Sequence, residues 1–169
     1  GAPEEVVTHA LVRDIDLAAF GGIGSLALIT LDNSLDHNRP NTFGPQSLSA
    51  LDAAISDAIA RKPEAIAITG KPFIFAAGAD LSALAFLNDR KQEMAIGKLG
   101  RDALRELGES KITTFAFMYE LALGGGLEVG LHCHYRTLSA TAFIALPDVF
   151  LGLVAGWGGA TILPKLIGP

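Results

Sequence analysis

Short apolar segments alternate along this chain with longer segments whose apolar residues recur at helical spacing. Residues 25–31 form an apolar run that ends at the turn-forming residues Asp32, Asn33 and Ser34, as expected for a buried strand. Residues 46–61 follow, with their apolar side chains on one helical face. Strands that alternate with helices in units of this length are typical of an α/β fold.

The alternation continues towards the C-terminus. Residues 65–69 and residues 113–119 are predicted strands, the second because it is β-branched and aromatic. Residues 91–109 and residues 127–133 are predicted helices. The apolar stripes of the two longer helices consist of Leu48, Leu51, Ala54, Ile55, Ala58 and Ile59 in the first and Ile96, Leu99, Ala103, Leu104 and Leu107 in the second.

Length and composition exclude several classes of protein. A chain of 169 residues can bury one sizeable core. Its net charge of −5 argues against a nucleic-acid partner, and the single Cys133 allows no internal disulfide. The longest uncharged stretch, residues 149–164, contains four glycines and ends in proline, so no membrane span is expected. Because the chain opens without a signal sequence, the expected location is cytoplasmic.

Charged residues are scarce in the last third of the chain. Only five follow Lys111, and three of those are the carboxylates Glu120, Glu128 and Asp148. A carboxylate in apolar surroundings requires a partner or a chemical role. These three side chains are therefore the first candidates for acid–base chemistry.

Two glycine-bearing loops each follow a predicted strand and precede a predicted helix. One contains Gly124, Gly125 and Gly126, and the other, residues 73–81, contains Gly78. Such loops present backbone N–H groups that can stabilise an anion, and two of them can form an oxyanion hole for a thioester or ester. The alternative is that the glycines allow close packing or positive φ. For Asp80, capping of a helix N-terminus is favoured over proton transfer.

Five segments resemble the enoyl-CoA hydratase/isomerase (crotonase) superfamily, in that family's order and spacing: residues 75–81, 122–128, 133–136, 146–148 and 152–159. The resemblance extends over residues 25–168 and is greatest to hydratase portions of multifunctional fatty-acid oxidation proteins, which are similar around residues 38–44. It implies a crotonase-like spiral core of repeated β-β-α units. It also implies one incomplete domain over residues 1–169 that lacks the family's C-terminal helices.

The resemblance implies a role for each matching position. Backbone N–H groups of Ala79 and Gly125 would form the oxyanion hole, and Glu128 and Asp148 would be the acid–base pair. Coenzyme A would enter as part of the substrate, with no permanently bound cofactor and no metal. The expected substrate-binding residues are Ala77 and Gly78 beside the adenine, Arg39 near the CoA phosphates, Gly156 near the second acid and water, and Asp80 and Gly124 in the two loops.

The implied reaction is addition of water across the 2,3 double bond of an enoyl-CoA thioester in fatty acid β-oxidation. One group takes a proton from water as it attacks C3, and another protonates C2. Two alternatives stay open: an enoyl-CoA isomerase, which needs one well-placed acid, and a non-catalytic acyl-CoA-binding or assembly module. The expected assembly is a homo-oligomer, a trimer or hexamer, or part of a larger multifunctional protein.

Two departures from the family pattern affect the expected site. Asp148 stands where hydratases have glutamate, and its shorter side chain predicts weakened hydration. Tyr119 and Glu120 stand where the family has Asn-Gly, which predicts strain at that corner. The Glu120 carboxylate is expected to face solvent or a neighbouring chain.

His132, Cys133 and His134 are adjacent, but neighbouring residues on a helix point in different directions and rarely converge on one ion. We therefore predict no metal site there and place Cys133 in the core. Trp157 is predicted to pack at a helix start.

Overall fold

The computed structural model describes residues 4–84 and 90–168, and its main sheet has five strands. The strands are β1 (His9–Asp16), β2 (Ser25–Asp32), β3 (Ala65–Gly70), β4 (Thr113–Met118) and β6 (Tyr135–Leu138). Their order in the sheet is β1-β2-β3-β4-β6, with β1 antiparallel to β2 and the other neighbours parallel.

A second, smaller layer of strand pairing runs beside this sheet. It consists of β5 (Leu121–Leu123) paired in parallel with β7 (Phe143–Ala145), extended by single bridges from Ala76 to Ala122 and from Phe43 to Ala79. Each main-sheet strand from β2 onwards is followed by a segment of this layer and then by a helix. The chain therefore has the spiral of β-β-α units that was predicted.

Among the described residues, five α-helices follow these strands and cover the core. They are α1 (Pro45–Ala60), α2 (Leu81–Leu84), α3 (Arg90–Glu109), α4 (Gly125–His132) and α5 (Gly159–Ile167). A short 3-10 helix, Pro147–Leu151, carries Asp148 and precedes α5. The buried side of α1 lies against the sheet, and α1 also contacts α3.

The predicted strands and helices are confirmed, with ends shifted by one or two residues. The predicted stripe on α1 is buried apart from Ile59, which is half-buried against the core. On α3, Ala103, Leu104 and Leu107 are fully buried, while Ile96 and Leu99 are half-buried. Within residues 4–84 and 90–168, no helix is both long and apolar enough to cross a bilayer.

The corner between β4 and β5 holds the predicted strain. Glu120 has φ +55°, in the left-handed region that favours glycine, and its side chain is exposed. The turn is tight because the Leu121 N–H donates to the Tyr119 carbonyl at 2.7 Å, and Phe143 N–H donates to the Glu120 carbonyl at 2.7 Å. The Tyr119 hydroxyl lies 2.7 Å from the Gly70 carbonyl, which ties the corner to β3.

Replacing Glu120 by glycine should stabilise the protein. The left-handed conformation costs a residue with a Cβ about 1 kcal/mol, so Glu120→Gly should raise the free energy of unfolding by up to that amount. Urea denaturation measures this, and Glu120→Ala is the control because alanine keeps the strain. Equal effects of the two substitutions would contradict the interpretation.

Candidate active site

The two glycine loops predicted from the sequence lie directly against each other. A Cβ built on Gly78, which has φ +98°, would lie 2.9 Å from the Leu123 carbonyl oxygen and 3.1 Å from the nitrogen of Gly125. A Cβ on Gly126 would lie 2.3 Å from the carbonyl oxygen of Ala76. The close-packing interpretation of these glycines is therefore confirmed, and that packing brings the two loops to one place.

Backbone N–H groups of Ala79 and Gly125 have no hydrogen-bond acceptor in the part of the chain that the structure describes. Phe43 N–H donates to the Gly78 carbonyl at 2.8 Å, and Asp80 N–H donates to the Phe43 carbonyl at 3.0 Å. Since Phe43 uses the groups on either side of Ala79, the N–H of Ala79 points away from it. Gly125 begins α4, so its N–H has no acceptor within the helix. Neither N–H donates to another described residue.

Glu128 is buried in the first turn of α4, with only 2% of its surface exposed. Its Oε1 accepts hydrogen bonds from the backbone N–H groups of Trp157 at 2.9 Å and Gly159 at 2.8 Å. Burial raises the pKa of this carboxyl, and the charge of Asp148 adds to that effect, while the bonds from Gly159 and Trp157 oppose it. The side chain is therefore held at one oxygen, and Oε2 accepts no bond from the described residues.

Asp148 is the second carboxyl group at this place. Its Oδ2 is buried and has no hydrogen-bond partner, the one such side-chain atom within residues 4–84 and 90–168. Its oxygens lie 3.6 and 3.7 Å from where a Cβ on Gly124 would be, which places the carboxyl beside the glycine turn. Buried polar atoms are nearly always satisfied, so an orphan carboxylate oxygen indicates a site for a ligand or water.

These groups share one pocket of about 220 Å³. Five predicted site residues line it: Ala79, Gly125, Glu128, Asp148 and Gly156. The other walls, which were not among the predicted site residues, are Glu93, Ile96, Gly97, Leu153, Val154 and Trp157. The spacing of Glu93, Ile96 and Gly97 puts them on one face of α3, but nothing in the sequence showed that this face meets the glycine turn.

A family model described as enoyl-CoA hydratase/isomerase matches residues 22–169. The chain belongs to that family. Among curated proteins, it is 35% identical over 149 residues to the fatty acid oxidation complex subunit alpha of Shewanella sp. (strain W3-18-1), covering 85% of this chain and 20% of that protein. The corresponding subunit of Shewanella frigidimarina is 32% identical over 147 residues, with the same coverage.

Solved structures agree with this assignment. An enoyl-CoA hydratase from Thermoplasma volcanium has a TM-score of 0.81 at 28% identity, covering 94% of this chain and 60% of that one. DspI from Pseudomonas aeruginosa has a TM-score of 0.79 at 28% identity, covering 100% of this chain and 65% of that one. This hydratase/isomerase-family chain thus spans about a fifth of the length of its curated relatives and three fifths or more of these two structures.

The remaining predicted binding residues of this hydratase/isomerase-family chain lie outside the pocket lining. Asp80 caps α2, since its Oδ1 accepts from Ser82 N–H at 2.9 Å, as predicted. Ala77 lies in the loop before Gly78 and donates its N–H to the Asn41 carbonyl at 2.8 Å. Arg39 is exposed on a separate loop, so its contact with CoA phosphates stays a prediction.

Trp157 packs immediately before α5, as predicted, and is wedged between two helices. A Cβ on Gly125 would lie 2.1 Å from its indole ring, and a Cβ on Gly100 would lie 2.6 Å from it. The ring also meets Phe43 edge-on at 6.2 Å. This packing fixes the Trp157 backbone, whose N–H holds Glu128.

The two histidines beside Cys133 serve separate contacts. His132 Nε2 lies 2.6 Å from the Trp157 carbonyl, and His134 Nδ1 lies 2.8 Å from the Thr114 hydroxyl. Cys133 is buried as predicted, and burial raises the pKa of its thiol to about 12. Across the part of the chain that the structure describes, no three His, Cys, Asp or Glu side chains gather as metal ligands would.

Proposed function

We propose that this chain carries an enoyl-CoA hydratase site that adds water across the 2,3 double bond of an enoyl-CoA thioester. The proposal rests on one observation: the carboxyl groups of Glu128 and Asp148 line one pocket together with two backbone N–H groups that donate to no described residue. An isomerase needs one acid. Two acids that face one pocket favour the reaction in which a water must lose one proton while carbon gains another.

The N–H groups of Ala79 and Gly125 are proposed to bind the thioester oxygen. As water attacks C3, negative charge moves onto that oxygen and an enolate-like intermediate forms. Two N–H donors already in place stabilise this charge without reorganisation, and the N-terminal end of α4 adds its favourable dipole.

The carboxyl pair is proposed to carry out both proton transfers through one water. Oε1 of Glu128 is occupied by two N–H donors, so Oε2 is the atom that faces the water. Oδ2 of Asp148, which has no partner, is the second contact. Burial raises the pKa of Glu128, and the charge of Asp148 adds to that effect. Glu128 is therefore proposed to give its proton to C2 while Asp148 accepts a proton from the attacking water.

The substrate class and the biological setting follow from the relatives and belong to the same proposal. The curated relatives are named as subunits of a fatty acid oxidation complex, which supports a role in fatty acid oxidation. The acyl-CoA thioester is then the substrate, and coenzyme A leaves with the product rather than remaining bound.

Hydration removes the conjugated double bond, so loss of the enoyl-thioester absorbance of crotonyl-CoA measures it. Asp148→Asn should lower kcat/KM by roughly 10²–10⁴-fold, because the amide cannot exchange a proton with water. Asp57→Asn is the matched control, since Asp57 is exposed on α1 and bonded to Arg61. Folded protein that leaves crotonyl-CoA unchanged would refute hydration, and conversion of a 3-enoyl-CoA to the 2-enoyl form without hydration would identify an isomerase.

A further inference from the structure

Lys71 is a buried lysine whose ammonium group is surrounded by oxygen atoms. It is 3% exposed and follows the last residue of β3. Nζ donates to the carbonyls of Leu35 at 2.7 Å, Asp36 at 2.9 Å and Arg39 at 2.7 Å, and to Oδ1 of Asn33 at 2.5 Å. Three N–H donors thus serve four acceptors from one loop, and the loop is folded around the charge.

This charge has no carboxylate within ion-pair distance among the described residues. Burial lowers the pKa of Lys71, and the nearby charges of Asp32 and Asp36 act against that effect. A buried ammonium is costly unless its hydrogen bonds are satisfied. The carbonyl oxygens of residues 35–39 provide that compensation, so the loop conformation and the buried lysine depend on each other.

Asn33 links this loop to Asn41. Its Oδ1 accepts from Lys71 and its Nδ2 donates to the Pro40 carbonyl at 2.9 Å. Its backbone N–H donates to Oδ1 of Asn41 at 3.0 Å. Asn33 is 6% exposed, and these bonds leave it one orientation.

Asn41 links Asn33 to the loop of residues 73–81, which carries Ala79. It is completely buried, and its Nδ2 donates to the carbonyls of Leu31 at 3.0 Å and Phe75 at 2.8 Å. Its own carbonyl accepts from Ala77 N–H at 2.8 Å. Asn41 therefore holds the loop on both sides of Ala76, and the bonds of Phe43 continue this pairing up to Ala79.

We propose that Lys71, Asn33 and Asn41 are positioning residues that act as one relay and fix the direction of the Ala79 N–H. None of the three lines the pocket, so they act through the loop that carries Ala79. The inference rests on the proposed function, because the Ala79 N–H matters only if a thioester oxygen binds there.

Two variants break the relay at different places. Asn41→Asp keeps the size of the side chain and the acceptor for Asn33, but it loses both donated bonds and places negative charge against two carbonyls. Lys71→Met keeps much of the apolar stem and removes the ammonium. Each should lower kcat about tenfold to a hundredfold with KM changed much less, because the thioester oxygen gains its charge only in the transition state.

The stretching frequency of the carbonyl of a bound thioester shows directly whether the Ala79 N–H donates a hydrogen bond to that carbonyl. Butyryl-CoA labelled with ¹³C at its carbonyl has no double bond to hydrate, so its infrared C=O stretch is measured without turnover. In the wild type the stretch should move to lower frequency on binding, and in both variants it should return towards the free value. Ser47→Ala is the matched control, since Ser47 is also buried and hydrogen-bonded but lies in α1, where its hydroxyl bonds to Glu5 and Thr8 of the N-terminal segment.

The outcomes separate the relay from the proposed reaction. A wild-type shift that persists in folded Asn41→Asp and Lys71→Met would overturn the relay, whether or not the protein hydrates crotonyl-CoA. A shift lost in both variants and kept in Ser47→Ala supports the relay even if turnover proves to be isomerisation. Should Asn41→Asp fail to fold, Lys71→Met alone decides. Absence of any wild-type shift would overturn both the oxyanion hole and the relay.

Discussion

Glu128→Gln should reduce hydration of crotonyl-CoA by roughly 10²–10⁴-fold while making the folded protein more stable at neutral pH. Glutamine has nearly the same shape, and its amide oxygen can accept the bonds from Trp157 N–H and Gly159 N–H. It cannot exchange a proton with water, so acid–base catalysis is lost. The stability increases because, at neutral pH, folding of the wild type requires Glu128 either to bury a charge or to take up a proton, whereas glutamine is neutral throughout.

The stability difference should depend on pH in a defined direction. The pKa of Glu128 in the folded protein is raised above its ordinary value of 4.5, mainly by burial. Between these two values the folded state binds more protons than the unfolded state, so wild-type stability falls as pH rises through that window. Glutamine does not titrate. The stability advantage of Glu128→Gln over the wild type should therefore be smallest below pH 4.5 and should grow as pH rises.

Urea unfolding at a series of pH values, with kinetics on the same preparations, measures both effects. Asp57→Asn again serves as the control, since it removes an exposed carboxylate from α1. A Glu128→Gln protein that is less stable than the wild type at pH 8 would show that the two N–H bonds outweigh burial. Full activity in that variant would remove Glu128 from the proposed pair.

Gly126→Ala should destabilise the fold by about 3 kcal/mol. Its Cβ would lie 2.3 Å from the carbonyl oxygen of Ala76 and 2.7 Å from the carbonyl carbon. That carbonyl cannot easily move away. It accepts a hydrogen bond from Leu123 N–H at 3.0 Å, and the Ala76 N–H donates to the Leu121 carbonyl at 3.0 Å. The added methyl therefore separates the two loops at the point where they form the site.

Thermal or urea denaturation tests this substitution. Gly97→Ala is the matched control, because its Cβ meets only the flexible end of Arg101 at 3.2 Å and alanine favours the helix. That control should gain about 0.5–1 kcal/mol. Similar effects of the two glycine substitutions would contradict close packing between α4 and the loop of Ala76.

Most elements of this fold could be predicted from the sequence, but β1 was not predicted. Apolar runs and helical stripes identified β2, α1, β3, α3 and β4 because their burial on one face leaves a local pattern. By contrast, β1 is an edge strand with five of its eight residues exposed, so its pattern is weak. Its place beside β2 depends on a pairing between segments that the sequence alone does not reveal.

The site was predictable to the extent that it is local. The glycine turn, the loop of Gly78 and the scarcity of charge around Glu128 and Asp148 are all visible along the chain. The anchoring of Glu128 by backbone groups 29 and 31 residues away is a product of packing. So is the wall that α3 adds to the pocket.

The sequence by itself determined the β-α alternation, the two glycine loops and the two acidic residues available for chemistry, because period, turn residues and charge are properties of short segments. The tertiary structure alone decided that both acids face one pocket, that Oδ2 of Asp148 is left without a partner, and that Lys71 connects through Asn33 and Asn41 to the loop of Ala79. These are relations between segments far apart in the chain. They exist only once the core has packed and the distances between backbone groups are set.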